Sequence, residues 1–173
     1  MDGPEVTRTL ARIAHQIAER PNRAGRLALV GIHTRGVPMA QRLVEQIAAI
    51  SGARPDLGVL DIALVRHAVA EGTVAVPVIS HVDLDFPVGE REVVIVDDVI
   101  CTRRTVQAAL EAVFDAGRPL IVQLVALIDR GHGELPIGPD YVGRELVTAR
   151  EEHVQVRLTE LDGEDEVLIS RQA

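Results

Sequence analysis

Val93-Val94-Ile95-Val96 is an uninterrupted apolar run that ends abruptly in two adjacent carboxylates, Asp97 and Asp98. A strand with one solvated face alternates in polarity, so a run apolar at every position belongs to a strand covered on both faces of a parallel sheet. A short turn of hydroxyls and guanidiniums follows, Cys101-Thr102-Arg103-Arg104-Thr105, and Val106 to Ala116 reads as a helix closed by Gly117 and Pro119. Leu27 to Ile32 and Leu120 to Ile128 are two further buried strands. They end in His33-Thr34-Arg35-Gly36 and Asp129-Arg130-Gly131-His132. Strands alternating with helices imply a doubly covered, mostly parallel α/β sheet with right-handed crossovers. All three polar strand ends then lie along the carboxyl edge, where such sheets bind ligands.

The rest of the chain fits around that frame. Val6, Leu10, Ile13, Ala14 and Ile17 share one face of an N-terminal helix that Pro21 is expected to end. A second helix runs from Val37 to Ile50 with Pro38 in its first turn. Asp56 to Val65 reads as a strand, and Arg66 to Glu92 as a flexible loop or small hairpin broken by glycine and proline. Tyr141 to Val147, Val154 to Leu158 and Glu166 to Ile169 are expected edge strands. The expectation is a single domain over 1–173, with a core of about 10–130 and a hood with C-terminal strands over about 131–170.

Composition removes several function classes. The net charge is −8, whereas nucleic-acid affinity leans on Lys and Arg that neutralise phosphates. The only aromatics are Phe86, Phe114 and Tyr141, too few for a base-stacking platform. No apolar run approaches the roughly 18 residues of a membrane span, and the start of the chain has no secretory pattern. The single cysteine, Cys101, forms no internal disulfide, so the expected compartment is the reducing cytoplasm.

The strand ends carry chemistry. Two carboxylates suit vicinal sugar hydroxyls, or the positive charge that develops on a ribose ring when its anomeric bond breaks. Thr102 to Thr105 offers backbone N–H groups, hydroxyls and guanidiniums at a helix N-terminus, an anion site. The plain alternative is that Asp97-Asp98 only caps the helix. Thr34-Arg35-Gly36 is a second anion candidate: Arg35 suits bidentate phosphate binding and Gly36 lets backbone approach. A simple strand-to-helix turn is equally compatible with it. Cys101 beside arginines resembles a reactive thiol, but a small apolar filler is the simpler reading.

Val93 to Thr105 resembles the phosphoribosyl pyrophosphate (PRPP) fingerprint of the type I phosphoribosyltransferases. Three more stretches resemble one branch of them, the PyrR family of pyrimidine operon attenuation regulators with uracil phosphoribosyltransferase activity. These are Leu10 to His15, Leu29 to Gly36, and Leu127 to Ile137. The resemblance implies a five-stranded parallel core with a small hood, and the reaction of uracil with PRPP to give UMP and pyrophosphate. It implies that Asp97 and Asp98 hold the ribose hydroxyls, Cys101 to Thr105 cradle the 5′-phosphate, and Thr34, Arg35 and Gly36 take the pyrophosphate. It implies Arg66 in a loop closing over the site, and Asp129 and Arg130 framing the base. Magnesium is implied as a companion of PRPP with no dedicated protein cage. Implied partners are PRPP, uracil, UMP or UTP, a pyrimidine operon mRNA leader contacted by Arg12, His15 and Arg144, and further copies of the chain in a homodimer or larger oligomer.

The chain departs from this pattern in places. The phosphate loop of the family reads Tyr-Thr-Gly-Arg-Thr; here Arg103 stands where the glycine is expected. A side chain there implies either obstruction and weakened substrate binding, or an added charge-assisted contact to the phosphate. The family's Tyr-Arg-Asp-Asp appears as Val65-Arg66-His67-Ala68, without the two acids. Ala11 replaces an expected threonine, and Gly133 and Gly138 replace expected arginines, which implies weaker RNA binding. Three functions stay open at this point: a working transferase, a nucleotide-sensing regulator, and a degenerate binding subunit.

Overall fold

The computed structural model describes residues 1–20, 25–69, 72–149 and 151–171, and along 66–69 and 72–74 the backbone alone. Helix α1 spans Gly3–Ala18. The Asp2 carboxylate accepts from Glu5 N at 2.8 Å, and Pro4 sits in the first turn, so the start is capped in the usual way. The five apolar residues expected on one face are all buried. The helix ends before Pro21, which lies outside the described residues.

Strand β1 (Leu27–Ile32) is buried throughout, and α2 (Gly36–Ser51) ends at Gly52, whose φ of 73° is the left-handed conformation that glycine adopts freely. Then come β2 (Asp56–Val69), β3 (Gly72–Asp83), β4 (Glu92–Ile100), α3 (Arg104–Ala116), β5 (Ile121–Asp129) and β6 (Tyr141–Glu145). The hairpin β7 (Glu152–Arg157) and β8 (Glu166–Arg171) encloses the short helix α4 (Thr159–Asp162).

The main sheet has six strands in the order β3-β2-β1-β4-β5-β6. The five from β2 to β6 are mutually parallel, as expected, with β4 at the centre. The sixth, β3, runs antiparallel to β2 and extends the sheet across most of the stretch read as irregular. Pro77 signals a loop in the sequence, but β3 is an edge strand, where the lost N–H costs no ladder bond. From the 131–170 stretch, β6 joins the main sheet, while β7 and β8 form a separate two-stranded sheet.

One face of the sheet packs on α1 and α2, together with Val156, Leu158 and Val167 of the hood. The other packs on α3 through Val106, Ala109, Ala112 and Val113. Among the described residues no helix is long and apolar enough to cross a membrane. The register sets Val99 beside Ile128 and Ile100 beside Asp129, so the loops after β4 and β5 leave the sheet side by side.

Candidate active site

A cleft of about 590 Å³ opens at the carboxyl end of β4, within the range of small-molecule sites. Asp97, Val99 and the turn from Ile100 to Val106 form its floor, Leu64 and Ala75 of the β2–β3 arm one wall, and Glu134 the other. The sequence placed the end of the strand at the two carboxylates; β4 instead continues to Ile100. Both acids therefore fall inside the strand rather than after it, and their carboxylates stay close enough to interact with each other. Asp97 lines the cleft, and Asp98 has Arg35 as its opposing charge.

Asp97 is buried and Asp98 half-buried, and their withdrawal from water pushes both up from the ordinary aspartate value, with the charge of Asp98 adding to the effect on Asp97. Asp97 Oδ1 accepts from Asp98 N at 3.0 Å. Neither caps the following helix: the N-cap of α3 is Arg103, and it makes no side-chain capping bond. The capping alternative is thus removed. Burying two acids with one partial counter-charge is costly, and such arrangements cluster where chemistry is done.

The turn after β4 carries the largest surprise. Arg103 has φ 75° and ψ 1°, the only non-glycine residue with positive φ among those described. Glycine would take that conformation freely, so the backbone is the one a glycine loop would use. The side chain folds away from the helix N-terminus and is buried. Its Nε donates to Ile137 O at 3.0 Å and Nη1 to Cys101 O at 2.9 Å, while Nη2 donates to Asp129 Oδ1 and Oδ2 at 2.7 and 2.8 Å. Of the two readings of Arg103, an added contact to a phosphate is not what this geometry offers, since its guanidinium is engaged within the protein. The first-turn N–H groups of α3, which have no acceptors inside the helix, stay in the floor of the cleft beside Thr102 and Thr105.

Asp129 is withdrawn by the same pair. Its Oδ1 also accepts from Gly131 N at 2.9 Å, and it is absent from the lining of the cleft. Arg130 is tied down as well, to Thr148 Oγ1 at 2.9 Å, Ala149 O at 3.2 Å and Glu152 O at 2.5 Å, although it borders a side cavity of about 230 Å³ with Cys101, Thr102, His132 and Glu134. Cys101 is a half-buried free thiol that lines both cavities. Arg104 pairs with Glu134 at 2.8 Å on the rim.

Thr34 and Arg35 lie between β1 and α2, and Gly36 opens α2 next to β4. The peptide bond between His33 and Thr34 is cis. A Cβ on Gly36 would lie 2.3 Å from Val96 O and 3.5 Å from Asp97 Cα. Glycine is required there first by helix-to-strand packing, a reason the sequence did not reveal, and that packing sets the loop against Asp97. Arg35 Nη2 donates to both oxygens of Asp162 in α4, at 3.0 and 3.3 Å. No local pattern pointed to Asp162, since 127 residues separate the partners.

The remaining candidates lie elsewhere. The Arg66 side chain is outside the described residues. Arg12 on α1 donates to Val142 O and Gly143 O of β6, both at 2.9 Å, and to Gln16. Arg144 pairs with Glu5, and His15 is exposed. These three share one edge of the molecule, but both arginines have intramolecular partners. Among the described residues no three His, Cys, Asp or Glu side chains gather to hold a metal. The acids present at the cleft fit an ion that brings most of its ligands with a substrate.

The model of the family described as phosphoribosyl transferase domain matches residues 1–161. The bifunctional protein PyrR of Deinococcus deserti is 50% identical over 163 residues, covering 94% of this chain and 88% of its own length. The protein of the same name from Acetivibrio thermocellus is 47% identical over 170 residues, 98% of this chain and 92% of its own. Among solved structures, a hypoxanthine phosphoribosyltransferase mutant from Trypanosoma cruzi superposes with a TM-score of 0.66 at 17% identity, over 84% of this chain and 79% of that one. A purine phosphoribosyltransferase from Pyrococcus horikoshii superposes with 0.63 at 23% identity, over 81% and 82%. At those identities the structures speak for the fold alone.

Proposed function

The chain belongs to the phosphoribosyl transferase domain family, and from that membership we propose a bifunctional PyrR-like protein. It transfers the phosphoribosyl group of PRPP to uracil, giving UMP and pyrophosphate, and it regulates pyrimidine operon expression by binding mRNA in response to uridine nucleotides. The observation that carries the catalytic half is the adjacent Asp97–Asp98 pair, buried and half-buried, near the end of the central strand. An anion-binding helix start lies on one side of it and Arg35 on the other.

The proposed chemistry is one displacement. The bond between the anomeric carbon and the pyrophosphate oxygen breaks, and a bond from uracil N1 to that carbon forms; the N1 proton is released to solvent. Positive charge appears on the ribose ring in the transition state, and a fixed carboxylate beside it stabilises that charge more than it stabilises the ground state. The first turn of α3, with Thr102 and Thr105, holds the 5′-phosphate; Thr34 and Arg35 receive the leaving pyrophosphate. Magnesium bound to PRPP supplies charge neutralisation of that leaving group. The proposed compartment is the cytoplasm. Exposed Leu64, Val76, Val78 and Val82 on the β2–β3 arm support self-association.

Incubation of the chain with labelled uracil, PRPP and Mg²⁺ is expected to form UMP, at a low rate because Asp129 is held by Arg103. Absence of UMP, together with calorimetric binding of UMP, would establish the second reading, a nucleotide sensor that has lost transfer. The Arg103–Asp129 pair is the observation that favours that reading.

For the RNA half, a gel shift with a pyrimidine leader hairpin is expected to give weak binding that falls about tenfold or more between 50 and 200 mM salt. Arg12 and Arg144 must leave their partners to reach phosphates. Tight, salt-insensitive binding would contradict this.

A further inference from the structure

We infer that Asp162, in the short helix of the hood, is a built-in competitor for the anion position at Arg35 and sets how tightly the protein holds diphosphate. The inference rests on the reading of Arg35 as a pyrophosphate ligand. A guanidinium binds an oxyanion best through parallel bonds from two of its nitrogens. Asp162 reaches only one: both of its oxygens, at 3.0 and 3.3 Å, are served by Nη2. The neighbouring Nε is buried and has no hydrogen-bond partner. Asp162 is thus a half-fitting occupant, and it leaves an unsatisfied buried donor beside it.

A pyrophosphate presents oxygens on two phosphorus atoms and can cover Nε and Nη2 together. Exchange then gains a hydrogen bond that the resting pair cannot make. The pair given up is weak, because its two side chains keep 28% and 22% of their exposure and water screens them.

Release of Arg35 strands nothing. Asp162 Oδ2 also accepts from Leu158 N at 2.9 Å, which keeps the carboxylate ordered within α4. The hood stays fastened through Arg42, whose guanidinium holds Glu160 and Asp165 at 2.6 to 2.8 Å. The competition is therefore confined to one side chain.

Isothermal titration of the full chain with inorganic pyrophosphate and Mg²⁺ tests this. Asp162→Asn keeps the size of the side chain and removes its charge, and it is expected to bind pyrophosphate about three- to tenfold more tightly, the scale of a lost exposed ion pair plus a removed repulsion. KM for PRPP should fall by a similar factor, with kcat within about twofold. Glu160→Gln loosens the hood fastening without touching Arg35 and should leave pyrophosphate affinity unchanged. Equal tightening by both variants would overturn the inference, since hood loosening alone would then explain it. Unchanged affinity in Asp162→Asn, with binding lost in Arg35→Ala, would overturn the inference and leave the reading of Arg35 intact. Undiminished pyrophosphate binding by Arg35→Ala would overturn that reading itself.

Discussion

Arg103→Gly is expected to raise kcat/KM for uracil about tenfold or more, through KM, while lowering Tm by about 4–8 °C. The two effects share one cause. In the folded chain the Arg103 guanidinium covers both oxygens of Asp129 and binds the carbonyls of Cys101 and Ile137. A carboxylate so engaged offers no free acceptor to a nucleobase. Glycine takes a φ of 75° without strain, keeps the backbone of the turn, and returns Asp129 to the cleft. The stability cost follows from removing one partner of a buried pair, typically 3–5 kcal/mol. Relief of the left-handed backbone offsets about 1 kcal/mol. Asp129 keeps the Gly131 N–H and gains water from the opened cleft, so the net loss is about 2 kcal/mol. Initial rates over a uracil series and a thermal melt measure both. Unchanged or lower kcat/KM would make Arg103 a working substrate ligand, and an unchanged Tm would mean the pair contributes no stability.

Much of this site was legible in the sequence because parallel strands announce themselves. Val93 to Val96 is apolar at every position only because helices cover both faces, and the switch to Asp97 marks where the strand reaches the cleft. What followed was read less well, for identifiable reasons. Pro77 argues for a loop unless the strand is known to lie at an edge, and edge position depends on the sheet order. Gly36 looked like a ligand-facing glycine; that it touches Val96 O depends on how α2 lies against β4. The partners of Arg103 and Arg35 lie 26 and 127 residues away, beyond any local pattern. The first was within reach: two strands that pair in register deliver Ile100 and Asp129 side by side, so a long basic side chain after one will find an acid at the end of the other.

Asp97→Asn is expected to lower kcat about 10²–10³-fold while making the protein more stable at neutral pH. Asn keeps the oxygen that accepts from Asp98 N, so the strand end is preserved and the missing charge is the main change. Loss of rate follows from the proposed role of the carboxylate, to meet positive charge on the ribose. The gain in stability follows from linkage. Burial first, and then the charge of Asp98, raise Asp97 well above its ordinary value of 3.8 in the folded chain. Between those two values the folded state holds a proton that the unfolded state has released. Stability contributed by this group is therefore complete below pH 3.8 and is lost as pH rises through the raised folded value. At neutral pH Asp97 is a net burden on the folded state, which the amide removes. The same elevation predicts that wild-type kcat/KM declines on acidification at a pH above the ordinary aspartate range, as the carboxylates take up protons. Melts of both proteins between pH 4 and 8 should diverge with rising pH, the variant melting higher at neutral pH. A variant that melts lower at neutral pH, or keeps kcat within threefold of wild type, would remove Asp97 from the role assigned to it.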